Sequence, residues 1–141
     1  MEKSCGTIPF IYENNELKFL VIRQNSGHWG FPKGHVEKNE TEQETAIRET
    51  KEETNIDVLI VSDFRYREEY FVETKNVRKE VIYFLANPLN DNVVLQSEEL
   101  QDYTWLSYDD AINTLTYDNS KELLKTAYEY IIKNELKNAN S

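Results

Sequence analysis

Residues 34–56, GHVEKNETEQETAIRETKEETNI, constrain this chain more than any other stretch. Thr41 is followed three residues later by Glu44, a capping box. The threonine hydroxyl can accept a free backbone N–H, and the glutamate can reach back to the threonine amide. Thr41 to Asn55 therefore reads as a helix. At about 100° per residue, Glu49, Glu52 and Glu53 share an arc of about 100°. Ala46, Ile47, Thr50 and Thr54 fall on an arc centred about 125° away. One face is expected to pack on a sheet while an adjacent face carries three carboxylates.

Like charges at spacings of three and four weaken a helix by about 0.2–0.5 kcal/mol per pair. A hard divalent cation needs oxygen ligands and would relieve that repulsion. Such a cation would also neutralise phosphate oxygens and acidify an attacking water, as phosphoanhydride hydrolysis requires. The plainer alternative is a solvated acidic face with Glu44 paired to Arg48. The preceding Pro32-Lys33-Gly34 tips the balance: a fixed turn, free backbone groups and a basic side chain suit a phosphate.

The rest of the chain places this helix. Residues 4–12 and 17–22 read as strands joined at Asn14-Asn15. Residues 25–38 hold three of the four glycines and both histidines, and read as a structured loop with short extended pieces. Strands are expected over 58–61, 64–72, 77–86 and 103–106, with a polar hairpin turn at 74–76. Apolar residues occupy both faces late in 77–86, as a buried central strand needs. Ser107 caps a helix near 109–115. Leu123, Leu124, Ala127, Tyr130, Ile131 and Ile132 set a last helix from 119 or 120 to about 136, followed by a frayed tail. With no repeat or linker visible, the 141 residues read as one α/β domain with a mixed sheet.

A net charge of −10 gives no general attraction for nucleic acid or anionic membranes. A polyphosphate substrate would then need a local cation. No apolar run approaches the roughly 20 residues of a membrane span. Cys5 alone cannot make an internal disulfide, and the N-terminus lacks a secretory pattern, so the expected location is cytoplasmic.

Within 34–56 the chain resembles the Nudix signature: Gly34, Glu40, Arg48, Glu49, Glu52, Glu53 and Ile56 fall in register. Thr50 stands where the pattern has an aliphatic residue, and its methyl can still pack. Asn55 replaces the final glycine, and Asn is the next most tolerant residue at a left-handed helix end. The resemblance implies an α/β/α sandwich whose carboxylates bind Mg²⁺ or Mn²⁺. By match the metal set is Glu49, Glu52 and Glu53, with the Gly34 carbonyl. Arg48 would orient the carboxylates and Glu40 would tie the loop; the general base varies across the family, and Glu52 is the candidate in this chain.

A narrower likeness covers about residues 5–115. His28-Trp29-Gly30-Phe31-Pro32-Lys33-Gly34-His35-Val36-Glu37, Val81 to Ala86 and Tyr103 to Leu106 are similar to asymmetrical diadenosine tetraphosphate hydrolases, which release ATP and AMP. This implies Lys33 and His35 near the phosphates, Tyr83 stacked on adenine, Tyr117 as a second wall and Glu99 near an extra metal. Tyr83 in an apolar strand can equally be core, and His28, Trp29 and Trp105 read as structural. Related folds act on many nucleotides. Hydrolysis of an RNA 5′ end or of a nucleoside triphosphate is the nearest alternative, and a non-catalytic nucleotide-binding module is a different class. An RNA reading would use a basic strip of Arg65, Arg67, Lys75, Arg78 and Lys79, which an ordinary charged sheet edge would also explain.

Overall fold

The computed structural model of the chain describes residues 1–90, 93–94, 98 and 100–139. Its strands are β1 (Glu2–Glu13), β2 (Glu16–Gln24), β3 (Trp29–Gly30), β4 (Lys33–His35), β5 (Val58–Val72), β6 (Val77–Pro88) and β7 (Leu100–Ser107). The helices are α1 (Glu42–Thr54), α2 (Tyr108–Thr114) and α3 (Asp118–Ala139). Two expected strands, 58–61 and 64–72, are one. A register shift between Ile60 and Arg65, with Ser62 at φ 67°, bends β5 without ending its pairing to β6. The loop over 25–38 contributes β3 and β4, and α3 continues past residue 136 to Ala139.

Strand β1 is the hub of a mixed sheet. It runs parallel to β6 over Glu2–Pro9 and antiparallel to β4 over Ser4–Gly6. Its last residues, Phe10–Glu13, pair antiparallel with β2, which in turn pairs with β3 and β7. Asn14 and Asn15, both at positive φ, make the tight β1–β2 turn.

Both faces of this sheet are covered. On β6, Val81, Tyr83 and Leu85 join Ile8 and Phe10 beneath Leu123, Leu124, Ala127 and Ile131 of α3. The alternate residues Ile82 and Phe84 join Cys5 beneath Ala46 of α1. The strand with apolar residues on both faces is therefore the middle of a sandwich.

Helix α1 seats through small residues. Thr45, Ala46, Thr50 and Thr54 are buried, while Ile47 is 36% exposed. The expectation that Ile47 packs inward is corrected: the seating arc is rotated toward Thr45. There the Thr45 hydroxyl donates to Glu40 Oε1 at 2.9 Å. Thr50 departs from the family pattern for a visible reason. Its Oγ1 lies 2.8 Å from the Ala46 carbonyl and 2.7 Å from Thr7 Oγ1. Because a carbonyl only accepts, the Thr50 hydroxyl donates to it and the Thr7 hydroxyl donates to Thr50. Thr7 and Thr50 are both fully buried, so each hydroxyl satisfies the other.

Candidate active site

The capping box of α1 is complete: Glu44 N–H reaches Thr41 Oγ1 at 3.1 Å and Thr41 N–H reaches Glu44 Oε1 at 2.9 Å. At the other end Asn55 adopts the left-handed conformation, φ 67°, and its N–H returns to the Lys51 carbonyl. The helix thus holds its acidic face at a fixed angle beside β4. There Arg48 organises the carboxylates. Its Nε and Nη2 bond the two Glu40 oxygens at 2.6 and 2.9 Å, a bidentate pair. Nη1 bonds Glu49 at 2.6 Å and Glu52 at 3.2 Å, and Nη2 also bonds the His35 carbonyl at 2.9 Å. Glu40 further accepts the Glu37 amide at 3.0 Å, which ties the loop to the helix. Its carboxyl is held down at about 2, chiefly by the hydrogen bonds from Arg48.

Glu49, Glu52, Glu53, Gly34 and His35 line one cavity of about 450 Å³. Gly34 backs directly onto Glu49: a Cβ there would lie 1.9 Å from a Glu49 carboxylate oxygen. The close approach of carboxylate to bare backbone is what a hard cation's oxygen set needs. Among the described residues no three acidic, His or Cys side chains already converge on one point, and Arg48 holds Glu49 and Glu52. The donor chemistry still fits a divalent cation: Glu49, Glu52, Glu53 and the Gly34 carbonyl would hold it, with water completing the shell. Glu99, the match for an extra metal, lies outside the described residues.

A second, larger cleft of about 620 Å³ adjoins the first, and Gln24 and Lys33 line both. Its walls are aromatic. His28 and Tyr117 pair with ring centroids 5.3 Å apart. Reciprocal contacts clamp their segments together: Trp29 N–H to Thr116 Oγ1 at 2.8 Å, and Thr116 N–H to the Trp29 carbonyl at 3.3 Å. Tyr117 is 55% exposed and free to meet a ligand face. Tyr83 is 4% exposed, set edge-on against Phe31 in the cleft floor, and burial pushes its phenol well above the ordinary range. Its place in the core leaves the more exposed rings of the cleft better placed to stack on a base.

Two charged groups face each other across this cleft. Burial pushes the Lys33 ammonium down, with repulsion from Lys79 adding to it, while Glu53, Glu68 and Glu49 oppose the shift. Burial pushes the Glu68 carboxyl up, against the pull of Lys33. His35 is exposed, with Nε2 3.8 Å from Glu2.

Reading the sequence missed Glu68, Tyr70, Gln24 and the start of α3 as cleft residues, and treated His28 as structural. The alternation Tyr66, Glu68, Tyr70 signalled that Glu68 shares a face with two aromatics, but not which face. Four of the five residues of the basic strip sit in ion pairs, Arg65 with Glu42, Arg67 with Glu69 and Glu80, Arg78 with Glu69, and Lys79 with Glu2, while Lys75 makes none among the described residues. Neutralised in this way, the hairpin supports the charged-edge alternative over an RNA track.

The sandwich, the capped acidic helix and the loop that backs it define the class. The chain belongs to the Nudix family, and its residues 6–127 match the NUDIX domain. It is 34% identical over 141 residues to the asymmetrical bis(5′-nucleosyl)-tetraphosphatase of Mus musculus, covering 92% of this chain and 95% of that one. It is 35% identical over 127 residues to the Caenorhabditis elegans protein of the same name, covering 87% and 91%. A crystal structure of a C. elegans Ap4A hydrolase binary complex superposes with a TM-score of 0.85 at 33% identity, covering 94% of this chain and 99% of that one. The chain is accordingly a Nudix hydrolase, and enzymes of this family typically use a divalent metal. Among the described residues no helix is long and apolar enough to cross a membrane.

Proposed function

We propose that this enzyme hydrolyses a dinucleoside tetraphosphate asymmetrically, with Mg²⁺, to a nucleoside triphosphate and a monophosphate; diadenosine tetraphosphate would yield ATP and AMP. The observation that carries the reading is the pair of adjoining cavities with Lys33 at their junction. One is lined by carboxylates, for metal and phosphates. The other is walled by aromatics, for a base. The similarity to tetraphosphatases along most of the chain supports it.

Glu49, Glu52, Glu53 and the Gly34 carbonyl would hold a divalent cation, whose chemistry there would be to neutralise phosphate charge and acidify a water. Arg48 fixes Glu49 and Glu52 in orientation through charged hydrogen bonds. Glu52, whose side chain is 57% exposed, takes the proton of the attacking water. The new bond forms from that water to phosphorus as the bridging P–O bond breaks. Lys33 carries phosphate charge at the junction, and the His28–Tyr117 wall holds the base.

The test is a product assay with diadenosine tetraphosphate and Mg²⁺, run beside a 5′-triphosphorylated RNA oligomer and a modified nucleoside triphosphate. ATP and AMP released faster than products from the other two is the expected result. Preferential loss of pyrophosphate from the RNA would keep the Nudix chemistry and overturn the substrate. No turnover of any of them would favour the non-catalytic module.

A further inference from the structure

We propose that Glu68 is a positioning residue that holds the Lys33 ammonium at the junction of the two cavities, ready for a polyphosphate. The inference rests on the polyphosphate reading above. Its starting point is a contrast among the carboxylates on the sheet and on the helix beside it. Glu2, Glu42, Glu69 and Glu80 each sit in an ion pair with a lysine or arginine. Glu68 and Lys33, both half-buried, make no ion pair and no side-chain hydrogen bond among the described residues. Yet each is the other's opposing charge. A half-buried carboxylate left without a contact partner is costly unless it acts on something.

The backbone explains how they face each other. Strand register pairs Gly6 with Lys33 on one side and with Tyr83 on the other. A Cβ on Gly6 would lie 2.7 Å from Lys33 Cβ, so the bare glycine makes room for the lysine side chain above the sheet. On β5, Glu68 lies opposite Val81, two residue pairs along from Tyr66 and Tyr83 and so on the same face. Lys33 and Glu68 therefore line the same cleft from strands on either side of β1 and β6.

Lys33 is pulled from two directions. Glu49 and Glu53 line the acidic cavity and Glu68 the aromatic one, and each attracts the ammonium that stands where the two meet. With Glu68 present the ammonium stays between them, where phosphates pass. With Glu68 neutral, the ammonium is drawn onto Glu49 and Glu53. There it competes with a cation and leaves the phosphate path.

This yields a test of sign. Removing a negative charge near an anion site should, by charge alone, tighten anion binding. Positioning through Lys33 predicts the reverse. The measurement is calorimetric binding of a methylene-bridged, non-hydrolysable diadenosine tetraphosphate analogue in Mg²⁺. It compares wild type, Glu68→Gln and Glu68→Asp, each checked for an unchanged thermal midpoint, and repeats Glu68→Gln on a Lys33→Met background. The expected result is binding weakened about tenfold by Glu68→Gln, partly restored in Glu68→Asp, and unaffected by Glu68→Gln once Lys33 is gone. Unchanged or tighter binding by Glu68→Gln overturns the proposal. So does an equal loss without Lys33, which would mark a merely structural role. A wild type that does not bind the analogue overturns the polyphosphate reading, and this inference with it.

Discussion

On α1 a single guanidinium, that of Arg48, ties down Glu40, Glu49 and Glu52, whereas in the adjoining cleft Lys33 and Glu68 oppose each other without touching. The first region is a local construction. Glu49, Glu52 and the arginine come from one helix at spacings set by the helical period, and Glu40 from the loop just before it. The second is assembled from β2, β3, β4, β5 and β6 and the start of α3. Strong, short contacts make the first rigid, which suits groups that must hold a metal. Half-buried charges without contact partners keep the second ready for a ligand that supplies the missing partner.

The sharpest break of this comparison is Glu53→Gln. The change should lower turnover by about 100-fold while leaving the thermal midpoint nearly unchanged, because one carboxylate on the acidic face carries little of the fold. A folded variant with near full activity would remove Glu53 from the metal set.

Next come two glycine substitutions that separate site from scaffold. Gly34→Ala places a Cβ against the movable end of Glu49, so activity should fall about tenfold at little cost in stability. Gly6→Ala meets the Pro32 carbonyl oxygen at 2.1 Å and should cost about 1–3 kcal/mol in chemical denaturation. Equal stability losses for the two would show that the Gly34 contact belongs to the scaffold.

An effect of similar size, but on binding alone, is expected in the cleft. Tyr117→Ala removes a wall of stacking worth about 1–3 kcal/mol, so KM should rise about tenfold with kcat little changed. If kcat falls instead, Tyr117 acts on the chemistry rather than on the base.

The smallest effect is a pH dependence. The Glu40 carboxyl sits at about 2 in the folded chain, against an ordinary value of 4.5. A depressed folded value means the ionised form is favoured by folding. Its stabilisation is full above 4.5 and is lost as pH falls from there toward 2. Thermal midpoints measured across that window should fall less in Glu40→Gln than in wild type. Parallel curves would show that Glu40 has no such linkage.

By itself the sequence determined the elements whose logic is local. Thr41 and Glu44 announced the start of α1, Asn55 its left-handed end, and the Glu49, Glu52, Glu53 spacing its acidic face, because a helix fixes angles between residues a few positions apart. Apolar residues on both faces of 77–86 marked a central strand for a similar reason: side chains alternate strictly along β structure. Only the tertiary structure decided what depends on partners far along the chain. Thr7 explains Thr50, the packing of Phe31 buries Tyr83, and Glu42, Glu69 and Glu80 neutralise the arginines that could have formed a basic strip. Glu68 opposite Lys33 belongs to the same group. Local spacing sets which residues share a face, but strand register sets what that face meets, and register is a property of the whole sheet.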